Sequence, residues 1–279
     1  MTTRVIQEIT PAHASRDGDG VAIQRVAGMQ RAAMDPILMI DELRSEHRED
    51  FAGGFPPHPH RGMQTLTYMK RGGIIHEDNQ GNRGEIRGGG AQWMSAGRGI
   101  IHSEMPTQDT TGLHGFQLWV NLPAAEKMSP PRYRDVPQAE LVEITGNGFT
   151  GAVIAGDWQV AGVAATGPLT ELAPRASLLD LSLDHGASVL VSADPRESVM
   201  AYVYAGSLMD GDREVGPRNL VITASGQGWQ LEAGTEGVSL LVLRGHPLSE
   251  PVVQYGPFVM NTREEIEQAI NDYQSGQFA

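Results

Sequence analysis

Cysteine is absent from the 279 residues of this sequence, which excludes disulfide bonds and thiol chemistry. Any redox activity would therefore have to come from a bound metal. Basic residues are also scarce, with 21 lysines and arginines against 34 aspartates and glutamates and a net charge of -13. Binding to nucleic acid through its phosphates needs a basic face, and no lysine or arginine cluster would supply one. We therefore expect no direct nucleic acid binding.

Long apolar runs are missing as well. No segment approaches the roughly 18 consecutive apolar residues that a membrane span needs. The first eight residues, MTTRVIQE, lack the apolar centre of a signal peptide. We therefore expect a cytoplasmic protein that does not span a membrane, long enough for two domains that each bury a core.

Short alternating runs, separated by glycine, asparagine, aspartate and proline turns, dominate the chain. Residues 115–122 and 177–183 are examples. Many short strands with frequent turns predict all-β barrels or sandwiches. A proline-rich, charged stretch at 123–137 is the best linker candidate. We expect an N-terminal domain at 1–130 and a C-terminal domain at 131–279.

One helix is predicted, at about residues 262–275. Thr262 and Glu265 fit a capping box, in which each side chain accepts a hydrogen bond from an amide at the helix start. Gly276 follows as a stop signal. Apolar residues at i, i+3, i+4 and i+7 form a stripe that favours docking on a barrel over binding a partner: Ile266, Ala269, Ile270 and Tyr273.

Two doublets of metal-binding side chains are the most informative feature. They are His58 with His60, and His102 with Glu104. Side chains two residues apart in a β-strand share a face, so each doublet can aim both members at one point. If the two strands are neighbours, three imidazoles and one carboxylate converge on a divalent metal. Pro59 has no amide N–H for a sheet, which places the first doublet at a strand edge.

Other residues that could carry chemistry have plainer interpretations. His76, Glu77 and Asp78 are consecutive, so they cannot all face one metal. We expect Arg61 to hold acidic groups behind the site, and Trp93 and Trp119 to fill the core. The remaining histidines are expected to be exposed or hydrogen-bonded, and they are His13, His47, His114, His185 and His246.

Several sequence blocks resemble the pirin family of the cupin superfamily. The match spans residues 55–62 (FPPHPHRG), 76–78 (HED), 92–106 (QWMSAGRGIIHSEMP), 118–122 (LWVNL) and 255–262 (YGPFVMNT). The resemblance implies a bicupin fold, with two tandem jelly-roll-like β-barrels and a short C-terminal helix. It also implies one iron-type metal held by His58, His60, His102 and Glu104. Some pirins resemble quercetin 2,3-dioxygenases in activity, and others look like regulators.

The sequence departs from the family pattern at residue 64. Many cupins and pirins have a glutamate four residues after the second histidine, and this chain has Gln64. A Gln64→Glu exchange would then be expected to add a carboxylate near the metal. Gly88, Gly89 and Gly90 also replace a Pro-Gly-Asp turn, which loosens that turn without touching a ligand.

A weak internal repeat relates the two halves. Residues 68–72 are similar to 202–206, and 94–99 are similar to 222–228. This alignment places Ser192 and Asp194 opposite the first histidine doublet, and Leu231 opposite His102. We therefore expect a C-terminal barrel without metal ligands, whose role is to support the first barrel or wall off its pocket.

Four protein ligands leave one or two positions free on a five- or six-coordinate ion, which suits oxygen chemistry. The expected cofactor is one divalent metal, with Fe(II) favoured because of the resemblance, and with Mn, Ni, Zn, Co and Cu as alternatives. The first hypothesis is a dioxygenase acting on a flavonol-like aromatic, with Glu104 as proton acceptor. The alternative is a non-enzymatic regulator that acts through a protein partner according to the oxidation state of the metal. We expect a monomer.

Overall fold

Strands make up most of the protein, as the alternating runs predict. The structure is a computed structural model and describes residues 2–172 and 176–278. The first twelve strands, in chain order, are β1 (Thr3–Arg4), β2 (Ile6–Pro11), β3 (His13–Asp17), β4 (Val21–Ala27), β5 (Ile37–Ser45), β6 (Phe55–His60), β7 (Met63–Arg71), β8 (Gly73–Asp78), β9 (Arg83–Arg87), β10 (Ala91–Ser95), β11 (Ile100–Pro106) and β12 (Leu113–Asn121).

The later strands are β13 (Arg132–Val136), β14 (Val142–Gly146), β15 (Phe149–Ala155), β16 (Asp157–Val160), β17 (Val163–Thr166), β18 (Ser177–Leu183), β19 (Ser188–Ser192), β20 (Ser198–Asp210), β21 (Arg213–Val215), β22 (Asn219–Thr223), β23 (Gly228–Gly245), β24 (Val253–Tyr255) and β25 (Phe258–Met260). The α-helix is α1 (Arg263–Gln274). In the described part of the chain, 3-10 turns lie at Ala32–Met34, Arg48–Asp50, Ala124–Glu126 and Gln138–Glu140.

The chain divides into two compact units that are not contiguous. The first unit comprises residues 13–30, 37–139 and 248–279, and the second comprises 1–12, 31–36 and 140–247. The division differs from the expected halves 1–130 and 131–279. Residues 1–12 belong to the second unit, and residues 248–279 belong to the first. At the start, β2 pairs with β22 and β1 pairs with β23. At the end, the N–H of Val259 donates to the carbonyl of Arg61.

Among its described residues, 13–30, 37–139 and 248–278, the first unit contains three sheets. A seven-stranded sheet has the order β13-β10-β7-β12-β5-β4-β3, a four-stranded sheet has the order β6-β11-β8-β9, and β24 pairs with β25. Buried apolar side chains from both larger sheets form one core cluster of this unit, namely Val21, Ile23, Leu43, Phe51, Met69, Ile74, Ile86 and Leu113. The four-stranded sheet carries both predicted doublets, because β6 contains the first and β11 the second.

The C-terminal helix confirms the sequence prediction. Thr262 Oγ1 accepts from the backbone N–H of Glu265, and the Glu265 carboxylate accepts from the backbone N–H of Thr262, which completes the capping box. Ile266 and Ala269 are buried in a cluster with Phe258 of β25. The helix therefore docks on its own unit through the predicted apolar stripe.

The second unit is one twelve-stranded sheet built around a large apolar core. Leu231, expected opposite His102, is fully buried in that core. Asp194, expected opposite His60, pairs with Arg196 at 2.6 Å between Oδ2 and Nη2. Within residues 2–172 and 176–278, no helix is long and apolar enough to cross a bilayer.

Candidate metal centre

Three of the four predicted ligands converge in the first unit. One nitrogen from each ring of His58, His60 and His102 lies within 4.8 Å of the others. The convergence follows from strand pairing, because β6 and β11 are antiparallel neighbours and His102 stands directly opposite His58. His60 joins them because it lies two residues from His58 on the same face. The ring centroids are 4.4 to 5.1 Å apart.

Backbone carbonyls orient two of these rings. His58 Nδ1 lies 2.8 Å from the carbonyl of Pro56, and His60 Nδ1 lies 3.3 Å from the carbonyl of Pro257. A carbonyl only accepts hydrogen bonds, so Nδ1 carries the proton in both rings. A neutral imidazole has one N–H, so each Nε2 keeps a free lone pair. Such outer contacts are typical of histidines that ligate a metal.

The third ring, His102, has a buried nitrogen without a hydrogen-bond partner among the described residues. His102 Nδ1 lies 3.2 Å from Nδ1 of His76, and both rings are buried. His102 Nε2 is also buried, and no hydrogen-bond partner reaches it in the part of the chain that the structure describes. A buried polar atom without a partner costs about 1–3 kcal/mol. A metal ion bound by the three Nε2 atoms would satisfy it, so the residues present fit a divalent metal.

Electrostatics keep the buried rings neutral. Burial, with a further contribution from His58, lowers the pKa of His60 to about 3. Burial and the three neighbouring imidazoles also lower the pKa of His102 well below its ordinary value. Both rings are therefore neutral at neutral pH, with a single N–H each, which is the state that a metal requires.

Glu104 lies in the wall of the same cavity but outside the cluster of three nitrogens. Thr67 Oγ1 donates to Glu104 Oε1 at 2.9 Å, and Gln117 Nε2 donates to Glu104 Oε2 at 3.0 Å. Each carboxylate oxygen keeps a second lone pair for a metal or a proton. The role of Glu104 as fourth ligand and proton acceptor stays a prediction.

A row of polar residues crosses the seven-stranded sheet next to Glu104. Gln117 of β12 is directly opposite Thr67 of β7 on one side and Asp41 of β5 on the other, and Asp41 is opposite Arg25 of β4. Arg25 binds Asp41 through two hydrogen bonds of 2.8 and 2.6 Å. Because opposed residues share a face, this row puts polar groups along the cavity wall.

The cavity has a volume of about 690 Å³. His58, His60, Glu104 and Gln117 line it, together with apolar side chains that include Phe55. Trp119 packs against a core cluster of the unit, as expected, but it is only partly buried and also lines the cavity, with its ring 5.1 Å from the ring of His60. Trp93 does fill the core, with 2% of its surface exposed. The difference is that Trp119 lies on the face of β12 that Gln117 shares.

Gln64 does not belong to this site. Its Oε1 accepts a hydrogen bond of 2.8 Å from Trp93 Nε1, and both side chains are buried. Gln64 is an odd number of residues from Thr67 on β7, so it faces the opposite side of the strand. The expectation that a carboxylate at position 64 would lie near the metal was therefore wrong.

The residues after the second histidine anchor the site to the C-terminal segment. Arg61 is buried, pairs with Asp272 at 2.7 Å, and lies over the ring of Phe278 at 4.5 Å. This confirms its expected structural role. Gly62 has φ +80°, and a Cβ there would lie 2.0 Å from the carbonyl of Val259. Only glycine fits this close approach.

Sequence reasoning missed several residues of the site. Pro257 orients His60 from 197 residues away, and Thr67 and Gln117 hold Glu104 from two other strands. His76, considered and set aside, contacts His102. The available signal was membership of the resembling blocks, with His76 in 76–78 and Pro257 in 255–262. Strand pairing decides which residues of such blocks reach the site.

Comparison with known proteins identifies the family. The model described as Pirin matches residues 20–120, and the model described as Pirin C-terminal cupin domain matches residues 178–279. The chain belongs to the pirin family. The predicted class is thereby confirmed as mostly β, with two cupin domains and one C-terminal helix.

Relatives cover almost the whole chain. A Vibrio cholerae protein provisionally named a quercetin 2,3-dioxygenase is 47% identical over 277 residues, which are 99% of this chain and 98% of that protein. Mouse pirin is 38% identical over 268 residues, 93% of this chain and 88% of that protein.

Solved structures agree with the fold. The crystal structure of a quercetin 2,3-dioxygenase from Acinetobacter baumannii has a TM-score of 0.89 at 29% identity and covers 99% of both chains. A bacterial pirin from Escherichia coli in complex with nickel(II) has a TM-score of 0.61 at 19% identity, covering 86% of this chain and 100% of that one. At that identity the second likeness shows the fold alone.

Proposed function

We propose that this pirin is a metal-dependent dioxygenase of the quercetin 2,3-dioxygenase type, with Fe(II) as its metal and a flavonol-like hydroxylated aromatic as its substrate. The observation that carries the proposal is the cluster of His58, His60 and His102, of which His58 and His60 line a 690 Å³ cavity that Glu104 also lines. Cavities of about 300–1,000 Å³ are usual for small-molecule ligands. The similarity to proteins named quercetin 2,3-dioxygenases supports the substrate class.

The metal, when bound, would supply open coordination positions and a redox-active centre for oxygen chemistry. His58, His60 and His102 would hold it, and Glu104 would complete the ligand set. The protein's own contribution to chemistry is Glu104, which can accept the proton of a substrate hydroxyl because Thr67 and Gln117 hold its carboxylate in place.

Charge in the cavity supports a neutral substrate over a small organic acid. Four carboxylates line the cavity, from Asp17, Asp19, Asp41 and Glu104, against the single guanidinium of Arg25 among the described lining residues. Arg25 is already paired with Asp41 and Asp17. Away from the positive charge of the metal, these carboxylates would repel an anionic substrate, whereas phenolic hydroxyls can donate hydrogen bonds to them.

Apolar surface supports an aromatic ring in the same space. Side chains of Met29, Met39, Phe55, Pro56 and Trp119 line the cavity. Aromatic and thioether groups of this kind pack well against planar rings. A hydroxylated aromatic would match both the apolar lining and the acidic groups.

The regulator alternative uses the same metal, and the two hypotheses differ in what the cavity is for. A protein that only reports the oxidation state of its metal needs no space for a small molecule beside it. The cavity therefore favours the enzyme. The expectations of a monomer, a cytoplasmic location and no nucleic acid partner stay predictions.

The test is aerobic turnover of a flavonol panel by protein reconstituted with Fe(II), followed by oxygen consumption and loss of flavonol absorbance. We expect turnover in the wild type, loss of turnover in His102→Ala, and unchanged turnover in His185→Ala. His185 is a matched control because it is an exposed histidine of the second unit. If the loaded wild type consumes no oxygen with any flavonol, the enzyme proposal is wrong.

A further inference from the structure

His102 differs from the other two histidines of the cluster in what holds its ring. His58 and His60 are oriented by backbone carbonyls, whereas His102 is bonded to a side chain, Nδ1 of His76, at 3.2 Å. His76 in turn lies 3.3 Å from Asp78, measured from Nε2 to Oδ2. The side chains of His76 and Asp78 have no exposed surface.

Strand pairing builds this chain of contacts. His76 and Asp78 lie two residues apart on β8, so they share a face. β8 is the antiparallel neighbour of β11, with Asp78 directly opposite His102. The ring of Tyr133 stacks on His76 with centroids 4.6 Å apart, which fixes the plane of the His76 ring.

The carboxylate of Asp78 is itself held firmly. Its Oδ1 accepts from the backbone N–H groups of Gln80 at 3.0 Å and Asn82 at 2.9 Å. Its Oδ2 accepts from Asn82 Nδ2 at 2.8 Å. An ionised carboxylate has no proton to donate, so His76 Nε2 must be the donor to Oδ2.

The direction of every bond in the chain follows from that donor. Since a neutral imidazole has one N–H, His76 Nδ1 must accept, and His102 Nδ1 must donate to it. His102 Nε2 is then left with a lone pair and no proton. If His76 carried its proton on Nδ1 instead, its unprotonated Nε2 would face the Asp78 carboxylate. Two hydrogen-bond acceptors would then face each other.

We propose that His76 and Asp78 are positioning residues that select the tautomer of His102 in which Nε2 can bind the metal, and that hold its ring in place. The inference rests on the metal site of the proposed function and does not depend on the reaction. Carboxylate-to-histidine contacts of this kind fix ligand tautomers at other metal sites, although here a second histidine is interposed.

Asp78→Asn is the decisive variant because it reverses the donor and acceptor roles in the hydrogen bonds from residue 78 through His76 to His102. The amide has nearly the same shape as the carboxylate. The two backbone N–H groups keep the amide oxygen at the Oδ1 position, so the amide NH₂ faces His76 Nε2 and donates to it. Asn82 can rotate its amide to accept from the same group. His76 Nδ1 then carries the proton and donates to His102, which moves the His102 proton to Nε2.

Two measurements test the proposal. Long-range ¹H–¹⁵N spectra of metal-free protein should show His102 protonated at Nδ1 in the wild type and at Nε2 in Asp78→Asn. Titration with Co(II) alone, followed by its visible absorption, should show affinity 10- to 100-fold weaker in the variant. Glu77→Gln is the matched control, since Glu77 is the neighbouring carboxylate, 59% exposed and paired with Arg83.

A second variant covers the case in which Asp78→Asn does not fold. His76→Phe keeps an aromatic ring against Tyr133 and removes the acceptor for His102 Nδ1, so Co(II) affinity should fall by a similar factor. The proposal is overturned if His102 carries its proton on Nε2 in the wild type, if a folded variant binds Co(II) as tightly as the wild type, or if Glu77→Gln loses as much affinity. If the tautomer change and the loss of Co(II) affinity are observed but the wild type turns over no flavonol, the dioxygenase proposal is wrong and the role of His76 and Asp78 stands.

Discussion

Acidification should destabilise the metal-free protein through His60. The ring is 2% exposed, and burial lowers its pKa to about 3 in the folded state. In the unfolded chain the pKa returns to about 6.5. Between these two pH values the His60 imidazole is protonated in the unfolded state but not in the folded state. The free energy of unfolding therefore decreases as the pH falls below 6.5.

The magnitude follows from the distance below the unfolded pKa. At pH 4.5 the unfolded imidazole is two pH units below its pKa, and each unit corresponds to about 1.36 kcal/mol. His60 should therefore remove about 2.7 kcal/mol of stability between pH 7 and pH 4.5. This is a large part of the 5–15 kcal/mol that usually separates folded from unfolded proteins.

The assay is urea unfolding of metal-free protein at both pH values, for the wild type and for His60→Gln. The other titratable groups are shared, so the pH-dependent loss should be smaller in the variant by about 2–3 kcal/mol. Metal must be absent because it would stabilise the folded wild type selectively. An equal loss in both proteins would mean that His60 takes up a proton while folded, and would refute the assignment of a neutral buried ring.

Other consequences of the structure can be measured on the same material. Glu104→Gln should stay folded and keep some metal, because its amide can still form a hydrogen bond with Gln117. Its turnover should fall about 100-fold or more, because the proton acceptor is lost. Unchanged turnover would exclude Glu104 as the proton acceptor. Gln64→Glu should leave the metal content unchanged and lower the free energy of unfolding, measured with urea, by roughly 1–3 kcal/mol, because it buries a charge beside Trp93. Tighter metal binding by this variant would place residue 64 at the site after all. Lys127→Met should cost roughly 2–4 kcal/mol in the same assay, because the Lys127 ammonium donates to three buried oxygens. Metal analysis of purified protein should approach one ion per chain, and a ratio near two would contradict a second unit without ligands.

The cluster of three histidines was predictable because the spacing within each doublet is local. A spacing of two residues on a strand puts both members of a doublet on one face, and His58, His60 and His102 required only one further assumption, that their strands are neighbours. The capping box at Thr262 was predictable for the same reason, since helix caps depend on residues three apart.

The environment of the cluster was not predictable because it depends on long-range pairing. Gln117 reaches Glu104, and Trp119 reaches His60, because β12 pairs with β5 and β7 in one register. A shift of one residue would turn both side chains away. Pro257 reaches His60 only because the C-terminal segment returns to the first unit.

The activity proposed for the three-histidine site is the addition of oxygen to a flavonol. The most direct test is incubation of Fe(II)-loaded protein with quercetin under ¹⁸O₂, with mass spectrometry of the product. The proposed activity predicts two labelled oxygen atoms incorporated per flavonol consumed by the wild type, and none with His102→Ala. Flavonol loss without label, or equal labelling by wild type and His102→Ala, would contradict it.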